Sequence, residues 1–353
     1  MKNVLFISFE YPPLGGGAGI VAHQLKSSAK KNPNHIKFLT EFSVKSKINV
    51  IRFESQIRTS LLDHNLSSYD DIILNDTRAV LYAGKYFSEK ELSLCTVIIH
   101  GRDYIKYLSE NIALKDQLRG YHRCHVRTLS ESKAIVAVSQ FIKRDLLNTY
   151  RKNQFQTNKV SVGYCGLEDT FLELPIYKHG TKSKSKTKRL LTVSRVVSSK
   201  GYLRMLGIFE KLVTLGIDCS WDIIGEGEYK EELENEVLKR NLGGVIRLHG
   251  RLEREQLISA YKDYDIFWLL PNKAEAFGLV YLEAQLSGVT VIGSDIGGVK
   301  EAINKNTGLV SNNDAEILDF ILGFEEKDEY IEDNRRFAKR FRSATFLEHL
   351  LRD

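Results

Sequence analysis

The chain has 353 residues, 42% of them hydrophobic and 27% charged. That length suits two domains better than one core, and the composition is that of an ordinary globular protein. No stretch approaches the ~20 consecutive apolar residues of a membrane helix, and the run from Val4 to Ile7 is too short for a secretory leader, so a cytoplasmic protein is expected. Net charge is +6, but residues 1–175 hold 24 basic and 17 acidic side chains against 21 and 28 in residues 190–353. A basic first half can attract anionic lipid at the inner face of a membrane, or an anionic acceptor, or simply be an uneven solvated surface. Cys95, Cys124, Cys165 and Cys219 form no CxxC pair, which suggests neither zinc nor a redox motif.

In chain order, Val4–Phe9 reads as a strand. The glycine-rich loop from Glu10 to Gly19 follows, and a helix begins near Ile20 with Val21, Leu25 and Ser28 along one side. Further strands are predicted at His35–Thr40, Asn49–Phe53, Asp71–Leu74, Thr96–His100 and Ala134–Val138. Their continuous apolar runs suit parallel strands covered on both faces. Helices are predicted at Lys115–Ser132 and Gln140–Tyr150. The polar, basic stretch around Lys178–Lys188 reads as a linker.

A second alternating series follows. Strands are predicted at Leu190–Ser194, Ser220–Ile224, Val245–Leu248, Ile266–Leu270 and Val289–Ile292. The helices between them run over Tyr202–Leu215, Tyr229–Arg240, Glu255–Tyr264 and Leu279–Ser287. The alternation predicts two doubly wound α/β domains, residues 1–174 and 190–335, with a linker at 175–189 and a closing helix at 336–353. Ligands of such sheets bind at the carboxyl ends of the strands, where two facing halves would form a cleft.

Five groups of residues can carry chemistry. The glycines Gly15, Gly16, Gly17 and Gly19 can let a phosphate approach a helix N-terminus, or simply make a tight turn. They do not match a dinucleotide fingerprint with its acidic partner. Arg195 and Lys200 follow a strand, where a guanidinium and an ammonium can grip a diphosphate or stand solvated. Glu275 lies in a loop and Glu283 on the apolar side of a helix, and both carboxylates can accept sugar hydroxyls or serve as local charge partners. If wholly helical, their spacing would be on the order of 12 Å. His100 ends an apolar strand, as a ligand contact or as a cap. Gly297 and Gly298 can face a phosphate or form a turn. Neither an HExxH motif nor a DxD-like acidic pair placed after a strand is present, so no metal ion is expected.

Taken in order, these residues resemble the retaining glycosyltransferases of the GT-B fold, family four. The resemblance rests on the N-terminal glycine loop, the strand-end His100 and VAVS at 136–139. It continues through SR…KG at 194–201, IGEGE at 224–228, HGRL at 249–252, the Glu-x7-Glu pair at 275–283 and GG..E at 297–301. It covers nearly the whole chain and is strongest from Leu190 to Val310. The resemblance implies two Rossmann-like domains facing a central cleft. It also implies diphosphate binding by Arg195 and Lys200, donor-sugar contact by Glu275 and ribose contact by Glu283. Backbone N–H groups of Phe277, Gly278 and Leu279 would meet phosphate and sugar, and backbone near Arg251 and Leu252 the base. Gly16 and Gly17 would line the diphosphate from the first domain, and His100 would touch the transferred sugar.

The implied reaction transfers a hexose or N-acetylhexosamine from a UDP- or GDP-sugar, with retention, to a cell-surface glycan or lipid-linked acceptor. The nucleotide sugar is a substrate, and no cofactor and no nucleic acid are expected. Ala276 stands where this motif commonly has glycine, and Thr290 where the family often has proline. Residues 41–68 give no alignment with the family, which leaves the acceptor open. A nucleotide-sugar 2-epimerase, a degenerate sugar-nucleotide-binding subunit and a nicotinamide dehydrogenase are the competing readings. The ordered Glu-x7-Glu and SR…KG motifs favour transfer over the first, and the intact Arg195, Lys200, Glu275 and Glu283 argue against the second; the third lacks its acidic ribose partner and leaves the second half unexplained.

Overall fold

The computed structural model describes residues 1–12, 16–40, 58–61, 64–108, 116–117, 119–150, 157–173, 187–325 and 327–352. The chain folds as two compact units, Met1–Glu168 with Ser343–Asp353, and Asp169–Arg342.

The first unit holds six parallel strands: β1 (Asn3–Ile7), β2 (His35–Leu39), β3 (Asp71–Leu74), β4 (Cys95–Ile99), β5 (Ala134–Ala137) and β6 (Val160–Val162). Their order is β2-β1-β3-β4-β5-β6. Every residue of β3 and β4 is buried, because helices cover both faces. The helix after β1 starts at Gly17, three residues before the sequence suggests, and buries Val21, Leu25 and Ser28 as expected. The predicted strand at 49–53 lies outside the described residues, as do most of the linker and part of the helix predicted from Lys115. The described part of that helix is Tyr121–Glu131.

The second unit holds β7 (Lys188–Val193), β8 (Cys219–Ile224), β9 (Ile246–Gly250), β10 (Ile266–Leu269), β11 (Thr290–Gly293) and β12 (Leu309–Val310), all parallel. Their order, β12-β11-β10-β7-β8-β9, is doubly wound about β7. Its core is aromatic. Trp221 packs 4.9 Å from Trp268 and 5.7 Å from Phe209, ring centre to ring centre. The Thr192 hydroxyl joins the two indoles: it accepts the Trp221 indole N–H at 3.0 Å and donates to the Trp268 carbonyl at 2.7 Å.

The single closing helix expected at 336–353 is two helices. Asp328–Ala338 belongs to the second unit, and Ser343–Leu350 packs on the first. Between them Phe341 stays with the second unit, 5.4 Å from the Phe277 ring, while the Ser343 N–H donates to Leu167 O at 3.0 Å. The last helix is then fastened by Ser343 to Ser28 at 2.6 Å and by His349 to Ser161 at 3.0 Å. Two anchors in different units require the break, and no glycine or proline marks it.

In each sheet the chain reverses its winding direction at one place, and the flanking strand ends are where ligands bind. These places are the carboxyl ends of β1 and β3 in the first unit and of β7 and β10 in the second.

Candidate functional site

In the second unit the segment after β7 is Ser194–Lys200 and the segment after β10 is Leu270–Glu275. Gly201 has φ 78°, and a Cβ there would lie 1.8 Å from Leu270 O. Only glycine allows this backbone-to-backbone approach. Asn272 completes the seam, its backbone N–H donating to Ser199 O at 3.0 Å and its side-chain amide to Ser198 O at 3.2 Å. The seam places the Lys200 ammonium in an ion pair with the Glu275 carboxylate, across 75 sequence positions. Their side chains are 16% and 23% exposed, enclosed enough to strengthen the pair yet open at one side.

Glu275 is held from its other side. It forms a parallel bridge with Gly297, and the Gly298 N–H donates to Glu275 O at 2.8 Å. Gly297 has φ 68°, and a Cβ would meet Glu275 O at 2.3 Å. The glycine pair thus seats the Glu275 backbone, a third role beside the phosphate contact and the plain turn that the sequence allows.

Arg195 is exposed, and its side chain pairs with no described residue. Arg251 is exposed and Leu252 half-buried, at the carboxyl end of β9 and so at the same edge of the sheet. Helix Leu279–Leu286 begins at this edge too. Gly278, at φ 102°, precedes it, and no side chain caps its N-terminus. Its first turn therefore presents backbone N–H groups and the positive end of the helix dipole. The Phe277 side chain is buried, which leaves its backbone as the part that can face a ligand.

Glu283 is placed differently from Glu275. It is 3% exposed, and its two oxygens are taken by protein partners: Arg254 Nη1 at 3.0 Å and the Tyr261 hydroxyl at 3.0 Å. Arg254 also lies over the Phe171 ring, 4.7 Å from its centre. Each oxygen thus already has one protein donor and keeps further acceptor capacity. The helix begins only at Leu279, so the wholly helical spacing of the two glutamates does not apply.

In the first unit the edge after β1 and β3 is built round Asp76. One carboxylate oxygen accepts from the Ser8 hydroxyl at 3.1 Å and from the N–H groups of Phe9 and Glu10 at 2.5 and 3.0 Å. The other accepts from Arg78 N and Ala79 N, both at 3.0 Å, capping helix Thr77–Tyr86. Beside it the Asn75 amide donates to Ser8 Oγ at 2.9 Å and to Ala18 O at 3.0 Å. Its oxygen must then accept, so the His100 Nε2–H donates to Asn75 Oδ1 at 2.9 Å. The other nitrogen, Nδ1, lies 4.0 Å from the Cys165 sulfur. Burial lowers the His100 pKa from 6.5 to about 3, so the ring is neutral. Gly16 begins helix Gly17–Ala29, and its N–H donates to the Glu10 carboxylate at 2.9 Å. That N–H is thus paired within the protein. A Cβ at Gly17 would meet nothing within 4 Å, and Gly15 lies outside the described residues.

The residues that the sequence singles out therefore gather at two strand-end edges. Arg195, Lys200, Arg251, Leu252, Glu275, Phe277, Gly278 and Leu279 share that of the second unit. Gly16, Gly17 and His100 share that of the first. Glu283 lies buried behind its partners. Sequence reasoning missed Asn75, Asp76, Arg254 and Tyr261. Asn-Asp directly after the strand Asp71–Leu74 was the available signal for the first two.

The fold recurs in solved structures. Anabaena HepE in complex with UDP and glucose matches with a TM-score of 0.71 over 99% of this chain and 98% of its own, at 16% identity. WaaG, a glycosyltransferase involved in lipopolysaccharide biosynthesis, matches with a TM-score of 0.68 over 98% of each chain, at 13% identity. The chain has the GT-B fold. Residues 175–343, most of the second unit, match the family model described as Glycosyl transferases group 1. Among curated relatives, the UDP-N-acetylglucosamine–peptide N-acetylglucosaminyltransferase GtfA subunit of Limosilactobacillus reuteri is 28% identical over 247 residues, 68% of this chain and 45% of the relative. The chain spans about half the length of the curated relatives it matches.

Glu283→Ala should destabilise the second unit by about 2–3 kcal/mol with no nucleotide present, since it strands Arg254 and the buried Tyr261 hydroxyl. Urea unfolding of the ligand-free protein measures this, and an unchanged midpoint would remove the internal role.

The stability contributed by a neutral His100 is complete above pH 6.5, its unfolded value, and is lost as pH falls toward about 3. His100→Gln should flatten the fall in unfolding free energy between pH 6.5 and 5, where one such group adds up to about 1.4 kcal/mol per pH unit. Identical slopes in variant and wild type would show that His100 titrates in the folded state.

Proposed function

We propose that the chain is a retaining glycosyltransferase that moves a hexose or N-acetylhexosamine from a UDP- or GDP-sugar to a cell-surface polysaccharide or glycolipid acceptor. The observation that carries this reading is the Lys200–Glu275 pair at the point where the second sheet reverses direction, beside an uncapped helix N-terminus. A cation and backbone N–H groups suit a diphosphate, and a carboxylate suits sugar hydroxyls. The UDP in HepE and the donor named for the GtfA subunit support a uridine donor over a guanosine one.

In this reading the donor lies across the carboxyl edge of the second unit. Arg195 and Lys200 hold the diphosphate, and the N–H groups of Gly278 and Leu279 add donors to it. Backbone at Arg251 and Leu252 meets the base. Donor binding draws Lys200 from Glu275, which frees the carboxylate for the sugar. As the bond from the anomeric carbon to the diphosphate oxygen breaks, negative charge grows on the leaving group, and the two cations stabilise it most at that moment. The acceptor hydroxyl bonds to the face that the diphosphate leaves, which preserves configuration, and its proton passes to the departing oxygen. The reaction is written without metal or cofactor. Glu275 is not a nucleophile here, so the paired-carboxylate scheme of glycosidases does not apply. His100, being neutral, meets the sugar as a hydrogen-bonding partner and not as a charge.

A uridine or guanosine diphosphate should raise the melting temperature of the protein at millimolar concentration, and other nucleotides should do so less. Lys200→Ala and Glu275→Ala should each lower transfer about 100-fold or more while remaining folded. Full activity in either variant, or no shift with any nucleotide, would sink the reading.

Among the described residues no helix is long and apolar enough to cross a membrane. The basic excess of residues 1–175 supports peripheral contact with anionic lipid. Flotation with vesicles should rise with anionic lipid content and fall with salt; indifference to lipid charge would remove this part.

A further inference from the structure

Helix Tyr202–Thr214 begins where the loop carrying Lys200 ends, and its start holds three strand-end segments of the second unit in register. Gly201 lies against Leu270, after β10. The buried Tyr202 meets the Ser194 hydroxyl, after β7, at 2.7 Å. Arg204 reaches the segment after β11: its Nη1 donates to the Ser294 hydroxyl at 3.3 Å, while its Nε donates to the Asp314 carboxylate at 2.6 Å. Asp314 opens helix Asp314–Leu322, so one guanidinium spans two further elements.

Ser294 is fully buried and is joined to Glu275 by a short path. The Ile296 N–H donates to Ser294 O at 2.8 Å, and the next two residues are the glycines on which the Glu275 backbone sits. Asn312 holds the same segment from the β12 side, its amide accepting from Asp295 N and donating to Asp295 O, both at 3.1 Å. The contacts close a ring: from Lys200 through the helix to Arg204, on to Ser294 and the glycine pair, then to Glu275 and back to Lys200 through the ion pair. The separation of the two charged groups is set on one side of this ring by the Gly201 seam and on the other by Arg204.

Stability is a poor account of Arg204. Its partner Asp314 is 47% exposed, and a pair so open contributes little. Its remaining nitrogen, Nη2, is shielded from solvent and has no hydrogen-bond partner among the described residues, which is a cost. What a guanidinium alone supplies is a flat fork whose nitrogens reach two fixed partners at once.

We propose that Arg204 is a positioning residue: it fixes the segment after β11 against helix Tyr202–Thr214 and so holds Glu275 opposite Lys200. It acts through Ser294 and the glycine pair and takes no part in bond making. That the arrangement serves sugar transfer rests on the glycosyltransferase reading; the brace itself does not.

The test uses the full chain and the variants Arg204→Met, Arg204→Lys, Ser294→Ala and Asp314→Asn. The first readout needs no ligand. It is the rate of reductive methylation of Lys200, read by peptide mass spectrometry against Lys239, whose side chain is 70% exposed. Arg204→Met and Ser294→Ala should speed Lys200 labelling at least 3-fold. Arg204→Lys should do the same, because a single ammonium cannot span both partners. Asp314→Asn, which leaves the Ser294 contact, should stay within 2-fold of wild type. Urea midpoints should not move, which separates a loosened pair from a loosened fold. The second readout is calorimetric binding of UDP, GDP and their hexose and N-acetylhexosamine conjugates. In Arg204→Met the preference for the nucleotide sugar over its nucleotide diphosphate should fall at least 5-fold, with the diphosphate bound no more weakly. Unchanged Lys200 labelling in Arg204→Met, or full recovery in Arg204→Lys, would overturn the proposal. So would a urea midpoint that falls in step with labelling, or an unmoved preference in a protein that binds these nucleotides. Faster labelling at an unmoved midpoint in a protein that binds no nucleotide would instead uphold the brace and remove the donor reading.

Discussion

The second unit depends on one contact that only a glycine permits, the Gly201 backbone laid against the carbonyl of Leu270. A doubly wound sheet brings the carboxyl ends of β7 and β10 side by side, but side-by-side strands do not by themselves bring their loops together. Removing one Cβ does. Once the two segments touch, Asn272 can bond to Ser198 and Ser199, and Lys200 can reach Glu275. The ion pair is thus a consequence of the backbone packing and not its cause. An ion pair of this exposure contributes only modestly to stability. Holding two opposite charges at a ligand-facing edge therefore points to use rather than to support.

The two glutamates of the Glu-x7-Glu pair separate these purposes. Glu283 is enclosed, and each of its oxygens has a protein donor, which is the condition under which a buried carboxylate is tolerated. Glu275 is partly exposed, and its partner is a flexible lysine that can turn to an anion instead. Two residues of one type, eight positions apart, thus divide into one that braces the helix behind the edge and one that faces outward. Arg254 and Tyr261, which brace Glu283, lie on the helix before β10, so the edge of the sheet is supported from behind by an element that touches no expected ligand position.

Much of this was legible in the sequence, for a specific reason. Parallel strands buried on both faces are written as unbroken apolar runs, and Asp71–Leu74, Ser220–Ile224 and Ile266–Leu270 were located to within one residue on that signal alone. Strands β6 and β12 were not, because three and two residues carry no pattern. The break between the last two helices was hidden for a related reason: RFAKRFR keeps a helical rhythm while its apolar residues answer to different units. The gathering of Lys200 and Glu275 followed from their positions after strands. The internal partners of Glu283 did not, because a buried carboxylate in a sequence announces that it needs donors without saying whether ligand or protein supplies them.

The charge distribution looks different when taken at the edges. Residues 1–175 are basic in sum and residues 190–353 acidic. At the strand ends the signs are reversed. The first unit presents Glu10, Asp76 and Asp103 around its pocket, and the second presents Arg195, Lys200 and Arg251 along its edge with an uncapped helix N-terminus. Net charge acts at a distance and is screened within about 8–10 Å at physiological salt. A ligand in contact with the protein answers instead to the few groups beside it. The local charge at each edge therefore differs from the overall charge of its unit.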